Sequence, residues 1–166
     1  MAEVLALPED RGQRVELLDG ALILSPAPTY QHQRVMQQVQ VALIGAVPGD
    51  MEVMPGINVL LNAERLVIPD LAVTATPMRQ ALYGAAADMV MVVEIISPSS
   101  RVLDKAHKRV LYAEARIPFY LLVDPASRPV HAVLFGLEGA DYVQMAISEQ
   151  GRIRFAEPFP VDVELG

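Results

Sequence analysis

The stretch MVMVVEII, residues 89–96, is apolar at every position except Glu94. Such a run predicts a strand covered on both faces by other layers. A carboxylate held there away from water costs several kcal/mol unless a partner compensates its charge. Glu94 therefore reaches solvent, joins a structural ion pair or belongs to a functional site. The segment Ser97-Pro98-Ser99-Ser100 ends the strand, and a serine there suits the cap of a following helix. That helix is expected over about 101–116, stopping before Pro118. FYLLVD, residues 119–124, reads as a second apolar strand closed by the Asp124-Pro125 turn.

Outward from this centre, RVELLDGALILSPAP reads as two short strands about Asp19-Gly20, a turn dipeptide. Residues 31–46 carry few breakers and predict a helix stopped by Pro48-Gly49. Strands are expected over 52–54, 57–61 and 66–73, with Pro69 placing the last at a bulge or a sheet edge. Residues 75–87 read as a loop with a helical turn, and 130–135 and 142–147 as a closing meander. Strands before and after two helices define an α+β class, a mixed central β-sheet flanked by helices, in a single domain over 1–166.

The chain has 166 residues and is 52% hydrophobic, enough for one domain with a substantial core. No apolar run approaches the roughly 18 residues of a membrane span. The opening MAEVLALPEDRGQ lacks a basic region leading into an apolar one, so no secretory leader is expected. With no cysteine there is neither a disulfide framework nor a thiolate metal site, and a cytoplasmic location is expected. The formal net charge of −7 argues against diffuse attraction to nucleic acid. The cations are uneven, however. Arg101, Lys105, Lys108, Arg109 and Arg116 share one short segment, and Lys105 and Lys108 are the only lysines.

Asp70, in VIPDLAV, taken alone reads as a turn residue beside proline. Paired with Glu94 on a neighbouring central strand, it would suit a hard divalent cation, because Mg²⁺ takes oxygen ligands and few carboxylates. Asp104, Lys108 and Tyr112 are spaced four apart and share one helix face. Leu103, Ala106, Val110 and Ala113 form an apolar stripe roughly opposite Lys108. Two readings follow. Either the stripe is buried and Lys108 lies in water, or the lysine face turns toward the carboxylates.

ELLDGALILSPAP, VIPDLAV, VVEIISPSS, DKAHKRVLY and IPFYLLVDP occur in that order. Together they resemble the Uma-two family of restriction endonucleases, within the PD-(D/E)XK nuclease superfamily, from about Glu16 to Asp124. The resemblance implies a restriction-endonuclease-like fold and Mg²⁺-dependent endonuclease activity on DNA, with Mn²⁺ able to substitute. It makes Asp70, in the Pro69-Asp70 element, and Glu94 metal ligands, helped by the backbone carbonyl of Ile95. The superfamily's lysine two residues after the second acid is absent, since position 96 is Ile96. Family likeness moves that role to Lys108 on the following helix. Glu16 resembles an additional acidic site residue, though a solvent-facing strand position is the competing reading. His32 falls at a family-like helix start, where it would contact a phosphate or metal-associated water. Lys105, Arg101 and Tyr112 join it as expected substrate-binding groups. His107, His131, Asp19 and Asp124 carry no such expectation.

Two rival functions stand beside the nuclease. One is a catalytically inactive nuclease-fold binding module, since fold alone does not establish function. The other is a metal-dependent hydrolase of a small phosphate ester, favoured by the acidic pI. A homodimer is expected for a nuclease that cuts both strands.

Overall fold

The computed structural model describes residues 14–25, 27–78, 81–97 and 103–166, without the side chains of residues 103–106. Arg101 lies outside the described residues, and so does the side chain of Lys105.

The first hairpin joins β1 (Arg14–Leu18) to β2 (Ala21–Ser25). Asp19 has φ 50° and Gly20 φ 83°. Positive φ at both central residues is the geometry whose twist matches antiparallel strands. The helix α1 (Tyr30–Ala46) begins at Thr29, whose hydroxyl accepts the His32 amide at 3.3 Å. His32, Val35, Val39 and Leu43 are its buried residues. Their helical spacing makes one inward stripe, so His32 points toward the sheet rather than toward water.

The next four strands are β3 (Glu52–Pro55), β4 (Val59–Asn62), β5 (Arg65–Val67) and β6 (Leu71–Thr74). The single strand expected over 66–73 is thus two strands in two different sheets. The break falls at Ile68-Pro69-Asp70. Proline lacks an N–H and disfavours helical backbone in the residue before it, so the ladder cannot run on through Pro69. Pro69 precedes β6, which lies inside its sheet between β8 and β3 rather than at an edge. The expected loop over 75–87 contains a short strand, β7 (Gly84–Ala85), and a 3₁₀ turn over Ala86–Asp88.

MVMVVEI forms β8 (Met89–Ile95). The described part of the following helix is α2 (Leu103–Glu114). It ends as Arg116 enters the left-handed region at φ 64°, with its N–H on Ala113 O and the Ile117 N–H on Tyr112 O. These two bonds satisfy helix carbonyls that would otherwise lose their partners. The chain then returns as β9 (Phe119–Asp124), parallel to β8. A parallel pair needs such a crossover connection, and α2 provides it. β10 (His131–Glu138) and β11 (Asp141–Ile147) form a meander, followed by β12 (Arg152–Phe155) and β13 (Val161–Glu164), which the sequence reading did not anticipate.

A six-stranded sheet runs β11-β10-β9-β8-β6-β3, and a five-stranded sheet runs β2-β1-β5-β4-β7. The larger sheet has a buried core on each face. Met91, Val93 and Ile95 pack with Val35, Val39 and Leu43 of α1 and with Val161 and Val163 of β13. Val92 packs on the other side with Tyr112 of α2, Tyr120 of β9, and Val59 and Val67 of the smaller sheet. The strand predicted to be covered on both faces is covered on both faces. No helix of the described residues is long and apolar enough to cross a membrane.

Gly20 fixes the hairpin that presents β1 to the rest of the molecule. Gly20→Val forces a β-branched residue into the left-handed region and is expected to cost about 1–3 kcal/mol. Urea denaturation of both proteins measures the difference, and equal stabilities would contradict the turn geometry.

Candidate active site

The break at Pro69 and the crossover after β8 help bring five sequence-distant segments to one end of the larger sheet. Leu71 pairs with Val93 across β6 and β8. Continuing this antiparallel register by one residue places Asp70 opposite Glu94, on the sheet face that carries Ala72 and Val92. That face is covered by α2.

Lys108 of α2 is buried at 6% exposure. Its Nζ donates to Glu94 Oε1 at 3.0 Å and to Glu16 Oε1 at 3.0 Å. Of the two readings of the helix, the lysine face is the buried one. Leu111 and Tyr112 are buried beside it; of the apolar stripe, Ala113 is buried, Val110 is 53% exposed, and the side chains of Leu103 and Ala106 lie outside the described residues. Amphipathic counting failed here because an ammonium between two carboxylates is a satisfied interior group, and counting treats every charge as a surface group. Tyr112, expected to bind substrate, is instead fully buried and donates its hydroxyl to Glu94 Oε1 at 2.6 Å.

Glu16 is buried rather than solvent-facing. Besides Lys108, its Oε1 accepts the Ile68 N–H at 2.8 Å. Ile68 directly follows Val67, the last ladder residue of β5. Glu16 thus binds both the chain break before Asp70 and the ammonium beside Glu94.

Asp70 is buried, and donors reach both of its oxygens. Its Oδ2 accepts the Ile95 amide at 2.8 Å and lies 3.1 Å from His32 Nε2. Its Oδ1 accepts Arg14 Nη1 at 2.5 Å. An ionised carboxylate only accepts, so Nε2 carries the hydrogen of this pair. His32 Nδ1 is buried with no hydrogen-bond partner among the described residues. His32, expected to meet a phosphate or metal-associated water, rests on Asp70 instead. Arg14 was not singled out in the sequence, because a basic residue at a strand start carries no local signal of such a contact. His107 and His131 are exposed. Asp19 accepts Arg65 Nε at 2.6 Å in the hairpin, and Asp124 accepts the Ala126 amide at 3.0 Å in a turn.

The two central acids are perturbed in opposite directions. Burial alone would raise the Asp70 carboxyl, but the hydrogen bond and charge of His32, the Ile95 amide and Arg14 outweigh it and hold it below the usual range. Burial pushes Glu94 up to about 7. Lys108 and the Tyr112 hydroxyl oppose that rise, while the charges of Asp70 and Glu16 reinforce it. Among the described residues, three carboxylates converge on Lys108, Arg14 and His32, and perturbed acids of this kind are common at functional sites.

A buried lysine held between two acids, with a third acid on the adjoining strand end, defines an acid–lysine cluster on a mixed sheet of the restriction-endonuclease-like class. The chain belongs to the Uma2 family, described as "Putative restriction endonuclease", whose model matches residues 1–166. No curated protein matches the sequence. Among solved structures, the fold is similar to that of a crystal structure described as "a putative nuclease belonging to DUF820" from Anabaena variabilis. The TM-score is 0.74 at 17% sequence identity, covering 95% of this chain and 88% of that one. At that identity the likeness establishes the fold.

Glu94 makes metal-free stability depend on pH. Its folded-state carboxyl titrates near 7, above its ordinary 4.5, so the folded state holds this proton more tightly than the unfolded state. Stability is therefore lost as pH rises from about 4.5 through 7. Glu94→Gln removes that loss. In metal-free buffer the stability of the variant relative to the parent is expected to rise by on the order of 3 kcal/mol between pH 4.5 and a pH above 7, on top of a constant cost for the lost Lys108 partner. Denaturation curves at both pH values test this, and a constant difference would refute the assignment.

Proposed function

We propose that this protein is a metal-dependent endonuclease that hydrolyses DNA phosphodiester bonds. The observation that carries the reading is the buried Lys108 ammonium, 3.0 Å from both Glu16 and Glu94. A structural ion pair needs one acid. A lysine shared by two acids, beside a third, matches the requirements of phosphoryl chemistry better than those of packing.

The residues fit a divalent cation as far as donor chemistry goes. Among the described residues no three His, Asp or Glu side chains form a protein-only cage. The available set is the Asp70 and Glu94 carboxylates with the Ile95 carbonyl. Such a sparse oxygen set suits Mg²⁺, which keeps most of its waters and takes one or two carboxylates, and Mn²⁺ can replace it. When bound, the ion supplies Lewis acidity, making water a better nucleophile at neutral pH and offsetting charge on the phosphate. Lys108 holds a proton-donating ammonium where negative charge builds on the phosphate oxygens. Glu16 keeps that ammonium in place, and Tyr112 fixes the rotamer of Glu94. The cations of the segment containing Arg101 and Lys105 draw in the polyanion against an unfavourable net charge. A two-fold homodimer suits cleavage of both strands.

The test is incubation of the purified chain with duplex DNA, RNA and a generic phosphodiester, with and without Mg²⁺ or Mn²⁺. Metal-dependent DNA cleavage is expected. Turnover of the small diester alone would favour a small-ester hydrolase, and no turnover a binding module. Within an active enzyme, Lys108→Ala is expected to lower kcat by roughly two to three orders of magnitude while metal binding persists. Lys105→Ala is expected instead to raise KM in a salt-dependent way. Wild-type kcat in Lys108→Ala would remove the lysine from the mechanism.

Metal binding has its own readout. Mn²⁺ is expected to raise the melting temperature of the parent, since a native-state ligand stabilises the fold. Asp70→Ala should blunt that rise, and an undiminished shift would put the ion elsewhere.

A further inference from the structure

Asp70 faces a conflict that the proposed site does not resolve by itself. A cation ligand needs accessible lone pairs, yet three donors already take three of the roughly four acceptor positions of Asp70, and Arg14 shares Oδ1, the less crowded oxygen. Oδ2 takes the Ile95 amide at 2.8 Å and faces His32 Nε2 at 3.1 Å, and Oδ1 takes Arg14 Nη1 at 2.5 Å. The three donors are not equivalent. The Ile95 amide is backbone in the central strand, and His32 is built into the buried stripe of α1. The His32 side chain is 5% exposed, whereas that of Arg14 is 32% exposed. Arg14 is therefore the partner that can leave without disturbing a buried element.

Charge points to the same group. The site gathers Glu16, Asp70 and Glu94 around Lys108 and Arg14. Lys108 is enclosed between two acids and is the poorer candidate for departure. Exchanging the Arg14 guanidinium for a divalent ion would leave three carboxylates facing Lys108, the His32 ring and that ion, so positive charge is not lost from the site. The guanidinium and the ion cannot both take the Oδ1 lone pairs at full strength, because each is a cation seeking the same oxygen.

We propose that Arg14 is the resident counter-cation of Asp70, that a divalent ion binds there only as Arg14 is released, and that Arg14 thereby sets the metal affinity of the site. This rests on the metal-dependent reading given above. It makes Arg14 a positioning residue: it orients Asp70 in the metal-free protein and competes with the ion that follows.

The experiment is calorimetric titration of the full chain with Mn²⁺ alone, without nucleic acid. Arg14→Gln is compared with the parent, and Arg65→Gln serves as a control. Arg65 pairs with Asp19 and Glu114, away from the site. Arg14→Gln is expected to bind Mn²⁺ roughly tenfold more tightly, because a competing positive charge has gone. Its metal-free melting temperature should fall, and its Mn²⁺-induced rise should exceed that of the parent. Arg65→Gln should bind Mn²⁺ like the parent. Should Arg14→Gln not fold without metal, Arg14→Met keeps the apolar stem and carries the same expectation. A merely structural Arg14 would lower stability and leave Mn²⁺ affinity unchanged or weaker, and that result overturns the inference while the proposed function stands. Equal tightening in Arg65→Gln would also overturn it, by tracing the effect to net charge. Absence of Mn²⁺ binding in every variant would overturn both this inference and the metal-dependent reading.

Discussion

The contact on which this site depends is the pair of 3.0 Å hydrogen bonds from Lys108 to Glu16 and Glu94. It joins three elements that are otherwise separate layers: a strand of the smaller sheet, the central strand of the larger one and the crossover helix. An ammonium taken from water demands compensation, and here each acid supplies part of it. The same contact explains why α2 turns its lysine face inward although an apolar stripe runs along another side. Tyr112, one turn later, extends the contact by closing on the same Glu94 oxygen.

Around this centre the backbone is arranged by one proline. Pro69 ends the run of β5 and sends the chain into the second sheet. The Ile68 amide goes to Glu16, and two residues on, Asp70 falls opposite Glu94. A local backbone restriction is thereby converted into the convergence of three carboxylates. Asp70 and Glu94 then diverge electrostatically: one is surrounded by donors and stays ionised, while the other is raised by burial and by its acidic neighbours.

Much of this was legible in the sequence. The double-sided apolar run around Glu94 announced a central strand, and Asp19-Gly20 announced the first hairpin. Asp70, Glu94 and Lys108 were recoverable as a set because their segments carry family-like motifs in order. Other features were hidden for physical reasons. The division of 66–73 between two sheets depends on where the chain goes after Pro69, which no local pattern encodes. Arg14 reaches Asp70 across 56 residues, and Lys108 reaches Glu16 across 92. Such contacts are products of topology. The inward His32 was foreshadowed by its spacing from Val35 and Val39, yet its partner was not. The hairpin of β12 and β13 escaped notice because its short alternating segments are weak signals beside the apolar runs of the central sheet.

The sharing of one ammonium by two acids also constrains how this protein can change over generations. Replacing Lys108 leaves two buried carboxylates facing one another, and replacing either acid takes away one of the lysine's buried partners. Each single replacement passes through a chain with mismatched buried charge, and such groups couple strongly in paired substitutions. Routes that alter two positions together avoid that intermediate. Glu16, Glu94 and Lys108 should therefore be inherited as a block, with drift confined to the positions around them.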